Sequence, residues 1–193
     1  MMKWTLLTTV GLAGGIVAGL LIGKSLDQFL GAMIVTALTT CIVGGVLGGM
    51  QAVYLRQLLV RPVWWIGATI VGLGVGLAVG VVLVEQVGTL MLGHRPNITQ
   101  LTPFWRAISF LVLGLVSGSI LGASQAVVLR RQSPGIRRWI GTTAMALAVA
   151  FTTSSLLVEF LGGLRSPVGL ITFVIASGLA FGAFTSKPLT SKA

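Results

Sequence analysis

Charged residues are scarce in this chain, where only 8% of 193 residues are Asp, Glu, Lys or Arg. A soluble domain carries roughly 25% charged residues, so this composition cannot cover a water-facing surface. The chain has three acidic residues, one histidine and one cysteine, which excludes an internal disulfide and any cysteine-rich metal site. These few groups also provide no acid–base pair or catalytic triad. We therefore expect no enzyme, no catalytic residue and no metal site.

Hydrophobic residues are abundant at 55%, and glycine supplies 27 residues. A helix crosses a ~30 Å hydrocarbon core in about 20 residues, and six apolar stretches have that length. They are residues 5–23, 34–55, 64–84, 107–129, 139–158 and 167–185. The sequence predicts an all-α integral membrane bundle of six helices, in a single domain over residues 1–193. The first stretch follows a lysine, as in a signal peptide, but its similarity to later stretches predicts that it is retained.

The distribution of basic residues predicts how the helices cross the membrane. Nine basic residues lie at the two termini and in the loops 2–3 and 4–5. The opposite side has four basic residues together with all three acids, Asp27, Glu85 and Glu159. Both termini are therefore predicted to be cytoplasmic, in a bacterial inner membrane or a thylakoid membrane. Because the basic residues lie at helix ends, they do not indicate binding of nucleic acid.

An internal repeat divides the chain into three two-helix units. Residues 65–73 recur as residues 139–147, and residues 4–19 share their tryptophan, threonine and glycine positions. The second helices share G-x3-G-x2-Q-A-V-x-L-R at residues 44–56 and 118–130, and the last helix keeps the two glycines. The units span about 1–60, 61–133 and 134–193. Since each unit crosses the membrane twice, the copies are parallel and predict a pseudo-threefold axis along the membrane normal.

Glycines four residues apart form ladders on five of the six predicted helices. These glycines are Gly11, Gly15, Gly19, Gly44, Gly48, Gly72, Gly76, Gly80, Gly114, Gly118, Gly122, Gly178 and Gly182. Residues at this spacing share one helix face, so a neighbouring backbone can approach it closely. One interpretation is tight packing between helices of the bundle. The other is an outward groove for a partner helix, a lipid or a pigment ring.

Each predicted helix also carries one polar residue at the same depth. These residues are Thr8, Gln51, Thr69, Gln125, Thr143 and Thr185. They lie about 6–8 Å below the cytoplasmic surface at 1.5 Å per residue. One interpretation is a belt of interhelical hydrogen bonds, each worth ~0.6 kcal/mol in a membrane. The other is a polar constriction on a transport path, or an amide ligand to a chromophore or ion.

Three ionisable residues are candidates for a ligand site on the outer side. Glu85 and Glu159 follow the tryptophans Trp65 and Trp139 by 20 residues. If those tryptophans lie at the cytoplasmic interface, the two acids lie at the opposite membrane surface, either as solvated carboxylates or as a cation site. His94 lies in an outer loop at residues 89–105, and is either a solvated side chain or a ligand to a metal or a magnesium-centred ring. Cys41 is expected to be a buried free thiol.

The pattern G-x3-G-x2-Q-A-V-x-L-R, followed after a short loop by W-I-x2-T, resembles uncharacterised multi-pass membrane proteins common in cyanobacteria and related bacteria. The resemblance covers most of the chain and rests on residues of packing and topology. It implies no activity.

Two functions are compatible with these features. The first is a non-enzymatic scaffold, accessory or assembly subunit that contacts other membrane proteins in a larger complex, for example a photosynthetic one. The feature that discriminates it is whether glycine ladders face outward, and a strictly monomeric protein with every ladder buried would count against it. The second is a small-solute or ion channel or transporter on the pseudo-threefold axis, which requires a continuous polar path. The sequence requires no cofactor, although a bound pigment or lipid is compatible with it.

Overall fold

The computed structural model describes residues 2–26, 32–56, 61–93, 101–129, 136–160 and 167–190. These residues form six α-helices: α1 (Met2–Leu26), α2 (Ala32–Leu55), α3 (Pro62–Leu92), α4 (Pro103–Leu129), α5 (Ile136–Phe160) and α6 (Pro167–Thr190). The prediction of an all-α protein with six helices is confirmed. Each helix contains the core of one predicted stretch, because a long apolar run without internal proline favours a continuous helix.

Helix α3 shows the largest difference from the prediction, since it continues to Leu92 instead of ending at residue 84. It begins with Pro62, whose fixed φ and missing N–H suit the first helical turn. It ends at Gly93, which has φ 71° and donates its N–H to the Thr89 carbonyl oxygen at 2.9 Å. Glycine takes this left-handed conformation without steric cost. Glu85 therefore lies two turns inside the helix and not at its end.

The six helices form a closed ring in chain order. Each helix packs against the helices before and after it, and α6 packs against α1. Among the described residues no other pair of helices has backbones close enough to pack directly. Neighbouring helices are antiparallel, since Gly11 of α1 faces Leu47 whereas Gly19 faces Thr39, nearer the start of α2. The ring therefore has an axis that all six helices surround.

The glycine ladders lie between the helices of this ring. All thirteen glycines are buried, and each one faces the next helix around the ring. A Cβ placed on Gly76 would lie 2.8 Å from the Cα of Ser117, and one on Gly182 would lie 2.8 Å from the Cα of Thr5. Such distances are shorter than real Cβ contacts, so the backbones are in direct contact at these positions. None of the thirteen glycines contributes to an outward groove.

Five helices are long and apolar enough to cross a membrane, namely α1 to α5. In α6 the described apolar stretch is shorter, at Ile171–Ser186, so the sixth crossing stays a prediction. Large apolar side chains are exposed on the outer surface of every helix, for example Leu21, Trp64 and Ile171. Side chains of this kind are stable against lipid tails but not against water. The helices thus indicate an integral membrane protein, while the orientation of its termini stays a prediction.

Candidate functional site

The six polar residues predicted at one depth converge inside the ring, one from each helix. They are Thr8, Gln51, Thr69, Gln125, Thr143 and Thr185, and none is more than 1% exposed. We call this set the polar layer. Its threonines Thr69, Thr143 and Thr185 donate their hydroxyl hydrogen bonds to the carbonyl oxygen four residues earlier in their own helices.

Gln125 links three helices of the polar layer. Its amide Nε2 donates a hydrogen bond to Thr69 Oγ1 on α3 at 3.1 Å. The same nitrogen lies 3.5 Å from Gln51 Oε1 on α2, to which it also donates. Since α2 and α4 are not neighbours in the ring, this second bond crosses the interior. The polar layer therefore joins two helices on either side of α3 as well as adjacent helices.

Three buried tryptophans lie beside the polar layer, and their role differs from the predicted one. Trp65 and Trp139, the residues expected at the interface 20 positions before Glu85 and Glu159, are like Trp4 at most 4% exposed and lie inside the ring. We call this side of the molecule the tryptophan end. The indole of Trp4 donates to Thr185 Oγ1 at 2.8 Å, and that of Trp65 donates to Gln51 Oε1 at 3.3 Å.

The sequence contained a signal for this placement. Each tryptophan precedes a threonine of the polar layer by four residues, as Trp4 precedes Thr8, and so shares its helix face. Trp64, by contrast, is 65% exposed and lies on the outer surface. Tryptophan is common both at membrane interfaces and in protein interiors, and the helix face on which it lies decides between the two locations.

The hydrogen bonds of the polar layer are not threefold symmetric. Trp4 and Trp65 each bond the polar-layer residue of the preceding helix in the ring, and this relation would pair Trp139 with Gln125. Instead, Trp139 Nε1 and Gln125 Oε1 are both buried without a hydrogen-bond partner, as is Thr8 Oγ1. An unpaired buried polar group costs about 1–3 kcal/mol. One donor and one acceptor are thus left over on the adjacent helices α4 and α5.

Two apolar clusters close the axis on either side of the polar layer. The cluster at the tryptophan end contains the three tryptophans with Ala52, Leu55, Ala126 and Leu129. Its rings pack closely, since Trp65 and Trp139 meet edge to face with centroids 5.8 Å apart. The cluster on the other side draws side chains from all six helices: Leu12, Val43, Leu47, Leu73, Leu121, Ala146, Leu147, Ala150 and Phe181. Among the described residues, apolar side chains therefore bound the polar layer on both sides along the axis. Beyond the second cluster, the buried Ser177 donates to Ser154 at 2.9 Å.

The candidate ligand residues of the predicted outer side have different surroundings where the structure describes them. Glu159 forms an ion pair with Arg106, which also donates to the Leu101 carbonyl oxygen at 3.0 Å. Glu85 is exposed and forms no ion pair with a described residue. His94 lies outside the described residues. The described part of the chain contains no group of three histidine, cysteine or acidic residues that could hold a metal ion.

Cys41 is exposed on α2, contrary to the expectation of a buried thiol. Its place in an apolar helix suggested burial, but every helix of this ring has one face on the outer surface. Side chains that contact lipid and side chains that contact protein are both apolar in such a helix, so its composition does not predict which of them are buried.

No protein-family model, curated protein or solved structure matches the chain. The chemistry of the site must therefore be inferred from its own groups, which are amides, hydroxyls and indole N–H groups. None of these groups ionises near neutral pH, so the polar layer offers no proton donor or acceptor for general acid–base chemistry. It can stabilise the assembly of helices, or hold a small neutral polar molecule.

Proposed function

We propose that the protein is a non-enzymatic scaffold, an accessory or assembly subunit of a larger bacterial membrane complex, for example a photosynthetic one. The observation that carries the proposal is the closure of the axis by two apolar clusters around a hydrogen-bonded layer. A ring with a filled interior offers only its outer surface and its two ends to other molecules. Its interior serves to fix the shape of that outer surface.

The surface through which such a subunit docks cannot be a glycine ladder, because the ladders are buried within the ring. The outer face of α3 is the best candidate. Val71, Val75 and Val79 lie four residues apart on it and are each at least 40% exposed. Valine side chains have few rotamers, so they lose little conformational entropy when a second helix packs on them.

Helix α3 is also the longest helix of the ring, with 31 residues. It measures about 46 Å at 1.5 Å per residue, which exceeds a hydrocarbon core of about 30 Å. Its last turns carry Leu90 and Met91, which are 84% and 64% exposed. Apolar side chains beyond the bilayer are unfavourable in water, which supports contact with a partner at this end.

The alternative of a channel or transporter requires a path along the axis. Leu12, Leu73 and Phe181 are among the side chains that fill this path outside the polar layer, and none is more than 8% exposed. Transport would therefore require the ring to open. The closed axis favours the scaffold over the channel.

The proposal is tested by purifying the tagged protein from its native membranes in a mild detergent. We expect a particle much larger than the 20.0 kDa chain, with a partner protein in fixed stoichiometry. Replacing Val71, Val75 and Val79 together by Phe should release the partner and leave the helix content unchanged. The matched control is Val10→Phe with Val17→Phe, two exposed positions on the outer surface of α1. A partner-free particle that conducts solutes in liposomes would overturn the proposal.

A further inference from the structure

A groove at the tryptophan end lies between the start of α1 and the end of α2. It encloses about 580 Å³ and is lined by Lys3, Leu6, Leu7, Val53, Tyr54 and Arg56. Two cationic side chains and a phenol thus share one concave surface with three aliphatic side chains. We propose that this groove binds the phosphate of an anionic phospholipid headgroup. The inference concerns a site that the proposed scaffold function does not use.

The charge of the groove is not compensated by an ion pair with any described residue. Lys3 and Arg56 are both exposed, and neither forms an ion pair with a described residue. Among the described residues, an ion pair forms between Arg106 and Glu159. Glu159 lies in the last turn of α5, at the opposite end of that helix from Trp139 and therefore far from the groove. An anion is the natural complement of two such cations, since a guanidinium binds phosphate oxygens in pairs and an ammonium adds a point charge.

Tyr54 gives the groove a fixed wall and a neutral hydrogen-bond donor. Its ring meets Trp4 edge to face with centroids 5.5 Å apart. Trp4 is itself 1% exposed and held by its hydrogen bond to Thr185. The Tyr54 hydroxyl makes no hydrogen bond to a described residue, so it is available to donate to a phosphate oxygen.

The apolar part of the groove favours a lipid over a soluble phosphate. Leu6 and Val53 are each 56% exposed, and Val10 continues the same surface one turn along α1 at 47% exposed. Acyl chains can lie along these side chains while the headgroup phosphate contacts Lys3 and Arg56. The arrangement matches the two chemistries of a phospholipid, with charge at the helix ends and an apolar surface toward the bilayer.

The combination of groups occurs only in the first of the three predicted units. In the second unit, Trp64 and Val128 stand where the first has Lys3 and Tyr54. In the third, Arg138 replaces Lys3, but Pro188 stands where the first unit has Tyr54. A general excess of positive charge on one side of the membrane accounts for Arg138 but requires no tyrosine beside it. The set of lysine, tyrosine and arginine is thus a feature of this groove.

The test measures lipid binding to the full-length protein in a neutral detergent. Short-chain phosphatidylglycerol is titrated, with phosphatidylcholine as the zwitterionic comparison, and bound lipid is counted by native mass spectrometry. Lys3→Gln combined with Arg56→Gln should raise the Kd for phosphatidylglycerol by at least about a hundredfold, because it removes two charge-assisted hydrogen bonds that each contribute roughly tenfold or more. Tyr54→Phe should raise it about threefold, the effect of one neutral hydrogen bond.

The matched control is Arg137→Gln with Arg138→Gln, which removes the same charge from exposed positions near the tryptophan end on α5. Binding should be unchanged in this control. An equal loss in the control would overturn the site in favour of nonspecific attraction to basic residues. Competition by inorganic phosphate at the same concentration would overturn phospholipid as the occupant and identify a soluble phosphate ligand. Equal retention of phosphatidylcholine would overturn the role of charge.

Discussion

Two glutamines that occupy equivalent positions in the predicted repeat should differ in how much stability is lost when each is replaced. Gln51 Oε1 accepts hydrogen bonds from Trp65 and Gln125, so Gln51→Leu leaves the buried indole N–H of Trp65 without an acceptor. Gln125 donates to Thr69 and Gln51, but its own Oε1 is buried without a partner. Gln125→Leu therefore removes an unpaired group together with two hydrogen bonds.

The difference can be estimated from these contacts. Two hydrogen bonds at ~0.6 kcal/mol in a membrane make about 1.2 kcal/mol for either substitution. Gln51→Leu adds about 1 kcal/mol for the buried N–H group that it leaves unpaired, so its total cost is about 2 kcal/mol. Gln125→Leu recovers about 1 kcal/mol by removing an unpaired carbonyl oxygen, so its net cost is close to zero. The two variants should thus differ by about 2 kcal/mol, or roughly thirtyfold in the unfolding equilibrium.

The assay is reversible unfolding in mixed micelles with increasing dodecyl sulfate, followed by far-UV circular dichroism. Trp65→Phe and Trp139→Phe provide a matched pair, because both remove an indole from the same ring contact but only Trp65 donates a hydrogen bond. Trp65→Phe should be the more destabilising of the two. Equal costs for Gln51→Leu and Gln125→Leu would refute the reasoning, since they would show that Gln125 Oε1 has a partner such as Trp139.

Three further outcomes are expected. Gly114→Ala should destabilise the ring by about 1–3 kcal/mol through overpacking, because the added Cβ would lie 2.6 Å from the Cα of Ala148. Its control is Gly141→Ala, which should be neutral or stabilising in the same unfolding assay, because nothing lies within 4 Å of the added Cβ. Glu159→Gln should cost less than about 1 kcal/mol, because its partly exposed ion pair is screened by solvent, and Glu85→Gln should cost nothing measurable. Cysteine introduced at either terminus should react with an impermeant maleimide only from the cytoplasmic side; labelling from the outside would contradict the predicted orientation.

The sequence predicted the locations of the helices and the depth of the polar residues along them. Long apolar runs located all six helices, and the spacing of Gln51 and Gln125 from their neighbours placed the polar residues at one depth. Both signals are local, because a residue's depth follows from its distance along its own helix. The ends of the helices were less certain. Leu90 and Met91 lengthen α3 beyond Glu85 because one carboxylate on an exposed face does not end a helix, whereas Gly93 does.

Closure of the ring is implied by the predicted pseudo-threefold axis, but by no feature of a single helix. The contact of α6 with α1 joins the two ends of the chain, and no spacing within either helix records it. The sequence also does not show what the glycine ladders contact, because a small residue such as Gly178 allows close contact with a lipid, a partner helix or α1 equally well. The tryptophans were misassigned for a related reason, because rotation of a helix about its axis decides between the interface and the interior, and neighbouring helices set that rotation.

The asymmetry of the polar layer follows from a single difference between the predicted units. Two of them supply an amide, Gln51 and Gln125, whereas the third supplies the shorter Thr185, whose hydroxyl accepts from Trp4. A threefold arrangement would need three equivalent amides, each accepting from the tryptophan of the next unit. With two, Gln125 donates past α3 to Gln51, while its carbonyl oxygen and the indole N–H of Trp139 both lack a partner. The unpaired donor and acceptor are therefore the consequence of having amides in only two of the three predicted units.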